Sequence, residues 1–128
     1  MISPSELHAY VMSRFGAVEE FPFGPDVRVF KVMGKMFALI PVGENDNTIS
    51  LKCDPVLAQL QRQTYAAVQP GYHLNKQHWN TVTVDGTIPD DEVFEMIDHS
   101  YALVVKSLKK SEREALARLK AQHDEHNP

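Results

Sequence analysis

Between residues 27 and 53 the chain holds three β-rich runs, Val27–Met33, Met36–Val42 and Thr48–Cys53, with almost nothing between them. Gly34-Lys35 separates the first two, and the polar turn Gly43-Glu44-Asn45-Asp46-Asn47 separates the second from the third. A parallel pair needs a crossover of about a dozen residues or more, so strands joined this tightly pair antiparallel. A fourth run, Trp79–Val84, is closed by Asp85-Gly86.

Helical signals bracket the strands. Ser3-Pro4-Ser5-Glu6 is a capping box with proline in the first turn, followed by the apolar stripe Leu7, Tyr10, Val11, Phe15 and a stop at Gly16. Asp54-Pro55 opens a short helix to about Thr64. Pro89 opens the longest one, with Asp90, Asp91 and Glu92 at the positive end of its dipole and Lys106 near the other. Val93, Ile97, Tyr101, Val104 and Leu108 form its buried stripe. Ser111-Glu112-Arg113-Glu114 reads as a second capping box, starting a charged helix whose tail, His123 to Pro128, is expected to fray. The expected fold is α+β: two layers, an antiparallel sheet with helices packed on one face. Residues 1–110 form one domain, and 111–128 add the charged helix and tail. At 128 residues nothing calls for a second domain.

Composition excludes more than it suggests. No apolar run approaches a bilayer span, the N-terminus has no basic and apolar leader pattern, and the single cysteine, Cys53, excludes an internal disulfide. A cytoplasmic, monomeric protein is the expectation. The net charge of −4 argues mildly against a dedicated duplex binder, because phosphate neutralisation supplies most of such affinity. Locally, residues 27–82 hold six basic groups against three acids. Arg28 and Lys31 cannot share a face, by strand parity.

Alternation places Ile49, Leu51 and Cys53 inward with Asn80, Val82 and Val84, and leaves Thr48, Ser50, Lys52, Trp79, Thr81 and Thr83 opposite. The segment from Tyr72 to Thr81 packs two aromatics, two histidines, two asparagines and a lysine. That mixture offers stacking planes, amide donors and acceptors, and a cation. Candidate binding residues are therefore Lys35, Lys52, Tyr72, His73, Asn75, Lys76, His78, Trp79 and Asn80, with Trp79 expected partly exposed in a recognition surface. The bland alternative uses Asn75, His78 and Asn80 to tie a long loop to the sheet, and Trp79 as core. Catalysis has little support: Cys53 faces inward, and no G-x-S-x-G, Walker A, G-x-G-x-x-G or H-E-x-x-H string occurs. His73 and His78 lack an obvious third ligand, so no metal or cofactor is expected. His99, one turn after Glu95, is expected to pair with it or to bond a loop.

Three phrases carry a family resemblance: Ile49-Ser50-Leu51-Lys52-Cys53-Asp54-Pro55, the string from Pro70 to Val82 with its Asn75-Lys76-x-His78-Trp79-Asn80, and Ile97-Asp98-His99-Ser100-Tyr101. With Gly34-Lys35-Met36-Phe37-Ala38, they resemble the MmcQ/YjbR family over residues 3–108. The resemblance implies a CyaY-like α+β fold. It also implies a DNA-binding role through a double-wing pair of β-hairpins bearing aromatic and basic residues, with DNA as the partner. Frataxin-type proteins of this fold bind iron through an acidic first helix, whereas the first helix here holds only Glu6. The alternative is a module binding a small anionic ligand or a protein on the same sheet face. The charged helix after Ser111 lies outside the resemblance and is available for a protein contact.

Overall fold

The computed structural model describes residues 1–43 and 47–126. The elements run α1 (Pro4–Met12), β1 (Ala17–Glu20), β2 (Val27–Val32), β3 (Lys35–Pro41), β4 (Thr48–Lys52), α2 (Pro55–Thr64), β5 (Val68–Pro70), β6 (Trp79–Thr83), α3 (Asp90–Ser107) and α4 (Lys110–His126). The strands form one sheet, order β1-β2-β3-β4-β6-β5, with every described pairing antiparallel. The α+β, two-layer expectation holds. The turn expected at 43–47 lies largely outside the described residues.

Local chemistry explains the element ends. Ser3 Oγ accepts from the Glu6 N–H at 3.1 Å while the Glu6 carboxylate accepts from the Ser3 N–H at 3.2 Å, the reciprocal pair of a capping box. Asp54 Oδ2 accepts from the Val56 and Leu57 N–H groups at the start of α2. The β2–β3 turn is Met33-Gly34, one residue earlier than expected. Both have positive φ, 49° and 82°, as the tight primed turns of hairpins require. Lys35 is therefore the first residue of β3 rather than the tip, paired with Val32.

Two edge strands, β1 and β5, join the four expected runs. At the C-terminus α4 begins at Lys110, and Glu112 accepts from the Lys109 N–H at 3.1 Å, so the cap precedes Ser111. The helix continues to His126, where fraying was expected, and His123 packs on Phe15 with ring centroids 5.5 Å apart. No helix among the described residues is long and apolar enough to cross a membrane.

The main core lies between the sheet and the helices. Leu7 and Val11 of α1, Val93, Ile97 and Val104 of α3, and Leu116 of α4 pack on Phe30, Val32, Phe37, Ile49 and Val82. Tyr10 reaches from α1 to α3, its hydroxyl donating to Asp98, so these two helices share one face as the amphipathic stripes require. Ser100 pins α3 to the sheet, donating to the Phe37 carbonyl at 2.5 Å and accepting from the Lys52 N–H at 2.9 Å. α2 covers the β5–β6 end of the same face, where Asn80 Nδ2 donates to the Ala58 carbonyl. Among the described residues no helix covers the other face.

Candidate functional site on the open sheet face

Strand parity sends Val27, Val29, Leu39, Ser50, Trp79 and Thr81 to the face away from the helices. Val29, Leu39 and Trp79 form a second small buried cluster there, with Val27, Met36 and Leu74 against it. Trp79 thus points the way alternation predicts, yet it is only 8% exposed. The expectation of a partly exposed recognition tryptophan is corrected. The segment 71–78 folds back over it as an arm, and Leu74 supplies the lid.

The arm is held by its own polar groups. Gly71 N–H donates to the Trp79 carbonyl at 2.8 Å, and Lys76 Nζ donates to the Gly71 carbonyl at 3.0 Å. Asn75 Oδ1 accepts from the Gln77 N–H and the Asn75 carbonyl from the His78 N–H. The His78 carbonyl accepts from the Cys53 N–H. Gly71 is required here: a Cβ would sit 2.7 Å from Trp79 Cβ and 3.0 Å from its carbonyl oxygen. From beneath, the Arg62 guanidinium of α2 donates to Asn80 Oδ1 at 2.7 Å and to the carbonyls of Lys76 and Trp79.

The nine candidates therefore separate. Tyr72 and His73 stand on the open face, and Lys52 is on it by parity. Asn75, Lys76 and His78 are exposed on the arm, where Asn75 and Lys76 are engaged in holding it. Asn80 is 1% exposed on the helix side and bonded to Arg62, Ala58 and Gln61, so it is a structural residue. Lys35 also leaves the patch: its Nζ donates to the Ser107 carbonyl at the end of α3, on the helix side. One continuous surface joining Lys35, Lys52, Lys76, His78 and Trp79 is not what the chain builds. Arg28 and Lys31 do separate as parity requires, pairing with Glu19 and Glu20 respectively.

What the open face holds instead is a groove of about 670 Å³ over β3, β4 and β6. Phe23, 65% exposed, walls one side; Tyr72, 73% exposed, and His73 wall the other. The Tyr72 and His73 rings lie 3.9 Å apart at 54°, and His73 has φ 58°, a strained value for a residue with a Cβ. Val27, Leu39, Pro41 and Leu74 make the lining apolar. Two hydroxyls of its floor are partnered: Ser50 Oγ and Thr81 Oγ1 are 2.8 Å apart, and Thr81 Oγ1 accepts from the Tyr72 N–H at 3.1 Å. Among the described residues no Lys, Arg, Asp or Glu lines the groove. Phe23 was missed in the sequence; its signal was the Phe21-Pro22-Phe23-Gly24-Pro25 stretch, two aromatics in a turn-forming segment.

Cys53 is buried, 4% exposed, with its Sγ 3.8 Å from Gln61 Oε1. Burial first, then the nearby Asp54 charge, pushes its thiol from near 9 up to about 11. Two such units lower the thiolate fraction about 100-fold near pH 8, so alkylation of native protein by iodoacetamide is expected to be at least about that much slower than of unfolded protein. The same shift acts on stability. The unfolded thiol ionises first, so stability from this group is intact below pH 9 and lost as pH rises toward 11. Rapid native labelling at pH 8 would contradict both statements. Among the described residues no three His, Cys, Asp or Glu side chains are grouped to hold a metal ion. His99 bonds a loop, its Nε2 accepting from the Asp54 N–H at 3.3 Å.

Comparison with known proteins agrees with this fold. The family model for YjbR matches residues 12–103. The protein YjbR of Escherichia coli (strain K12) is 38% identical over 115 residues, covering 90% of this chain and 98% of that one. The protein YyaQ of Bacillus subtilis is 24% identical over 118 residues, covering 80% and 98%. A crystal structure from Deinococcus radiodurans, of a DUF419 domain, superposes with a TM-score of 0.82 at 37% identity, covering 91% of this chain and 92% of that one. One from Pseudomonas syringae gives 0.67 at 26%, covering 80% and 98%. With the arm, the hairpin and the helix phrases all inside the matched span, the chain belongs to the YjbR family.

Proposed function

We propose that this chain is a non-catalytic binding module that takes its ligand on the open sheet face, between Phe23 and the Tyr72–His73 wall. One observation carries the reading. The uncovered face of an antiparallel sheet is ordinarily polar and solvated, but here its centre is a concave apolar groove. Exposed Phe23 and Tyr72 wall it, and exposed apolar surface of that kind marks contact sites. The absence of catalysis is supported by the protonated, buried Cys53 and by the Ser50 and Thr81 hydroxyls of the floor, which bond each other.

A second reading, a nucleic-acid strand on the same face, is favoured by the two exposed rings, since stacking tolerates any base. Charge confines it to unpaired strands. Of the six basic residues in 27–82, Arg28 and Lys31 are ion-paired, and Lys35, Arg62 and Lys76 donate to backbone or side-chain oxygens. Only the Lys52 ammonium makes no hydrogen bond or ion pair among the described residues. With one cation free of hydrogen bonds and ion pairs, a log–log salt slope of about −1 is expected.

Anisotropy titrations with duplex DNA, single-stranded DNA and RNA of equal length, at about 50 and 200 mM salt, test this. Duplex binding at the higher salt is expected to be weaker than about 10⁻⁴ M, and single-strand binding to show the shallow slope. Tight duplex binding with a slope beyond about −4, unchanged in Tyr72→Ala, would overturn the assignment of the open face.

A further inference from the structure

We infer that the groove is a small-molecule site, and that the ligand it takes is a planar aromatic compound without multiple charges. This rests on the reading that the open face is the binding face. The volume, about 670 Å³, falls inside the roughly 300–1,000 Å³ typical of sites that enclose a small ligand. Such sites are mostly apolar with a few polar groups, which describes this lining.

Each wall presents a ring. Phe23 stands on the 21–26 turn, and the opposing wall is assembled before any ligand arrives, because the Tyr72 N–H is tied to Thr81 and the Tyr72 and His73 rings are in contact. The strained φ of His73 belongs to that wall, and backbone strain of this kind concentrates at binding sites. The floor makes no demand for a polar partner, since Ser50 and Thr81 bond each other. A multiply charged anion would lose hydration without finding a countercharge, as no Lys or Arg among the described residues lines the groove.

An extended peptide fits less well. Peptide strands bind by adding to a sheet edge, but β3, β4 and β6 each have a strand on both sides. The edge strand β5 lines the groove only through Gln69 and Pro70, of which the proline has no N–H to donate.

The test uses the full chain, with 2-naphthol as the uncharged two-ring probe and 1,5-naphthalenedisulfonate as the doubly charged control. Amide chemical shifts are followed at two salt concentrations, with sedimentation velocity alongside. Saturable 2-naphthol shifts are expected at residues 48–52, 69, 71–74 and 81, insensitive to salt, with at least about tenfold weaker binding of the disulfonate. Phe23→Ala and Tyr72→Ala should each weaken 2-naphthol by about three- to tenfold with unchanged melting temperatures, because both side chains are largely exposed. Tyr72→Phe should retain binding.

Three results overturn the inference while leaving the open face as the binding face. These are equal affinity for the disulfonate, a single-stranded oligonucleotide shifting these residues when 2-naphthol does not, and self-association that covers the groove. Probe shifts confined to the cleft between α2 and α3, lined by Leu57, Leu60, Tyr65 and Glu95, would overturn both readings.

Discussion

Replacing Trp79 by alanine is expected to cost about 3–5 kcal/mol of stability, the usual penalty for emptying a large aromatic site in a packed cluster. In urea this lowers the unfolding midpoint by roughly 2 M, taking a slope typical of a small domain. The physical reason is the arm. Trp79 sits between Val29 and Leu39 below and Leu74 above, so truncation removes the common contact of the sheet face and its cover. Tyr72→Ala, at a side chain 73% exposed, should stay within about 0.5 kcal/mol of the wild type. Any loss of ligand binding in Trp79→Ala therefore reports a collapsed floor and not a lost stacking partner. Should the alanine variant fail to fold, Trp79→Phe keeps the test open, with a midpoint intermediate between the two. A wild-type midpoint in Trp79→Ala would remove the second cluster from the account of the fold.

Trp79 also shows where sequence reasoning reaches its limit. Alternation gave its direction correctly, because the side-chain period of a strand is local and fixed. Its burial depended on residues 71–78 folding back, which follows from Gly71 meeting Trp79 at backbone contact and from Arg62 reaching up from another element. Neither contact has a local signature. The same division runs through the molecule. Ser3, Glu6 and Asp54 were legible as caps because each acts within three residues of itself. Strands β1 and β5 were not, since four residues and three are too few for a period to stand out.

Lys35 was misplaced by one residue of turn register. Expected at the hairpin tip, it instead begins β3 opposite Val32, and that position directs its ammonium to the Ser107 carbonyl on the helix side. Asn80 was placed inward correctly and still counted as a binding residue, because its amide chemistry suits either role. Only its three side-chain partners decide the matter. The groove was the least legible feature, since Phe23 and Tyr72 lie far apart in sequence and meet across strands that carry no mark of concavity.

The second large effect is expected at Arg62. Its guanidinium joins three acceptors, Asn80 Oδ1 and the carbonyls of Lys76 and Trp79, and so ties α2 to the C-terminal end of the arm and the start of β6. Arg62→Met keeps much of the aliphatic stem and removes the donors. Asn80 Oδ1 is then left in a residue 1% exposed. Hydrogen bonds from a charged group contribute about 1.5–3 kcal/mol, and a stranded buried acceptor costs about 1–3, so a net loss of about 2–4 kcal/mol is expected. For a domain of this size that is roughly a 10 °C fall in melting temperature. The loss should be uneven. Amide exchange at Gly71 and His78, whose N–H groups bond within the arm, should accelerate more than exchange in β3. Because the arm carries Tyr72 and His73, 2-naphthol binding should weaken in Arg62→Met at temperatures where the domain is still folded, which a uniform destabilisation would not produce. Arg62→Lys, with donors on one atom and no fork, should recover part of the stability and less of the binding. Unchanged exchange at Gly71 together with a melting temperature within about 2 °C of wild type would mean the arm stands without its latch.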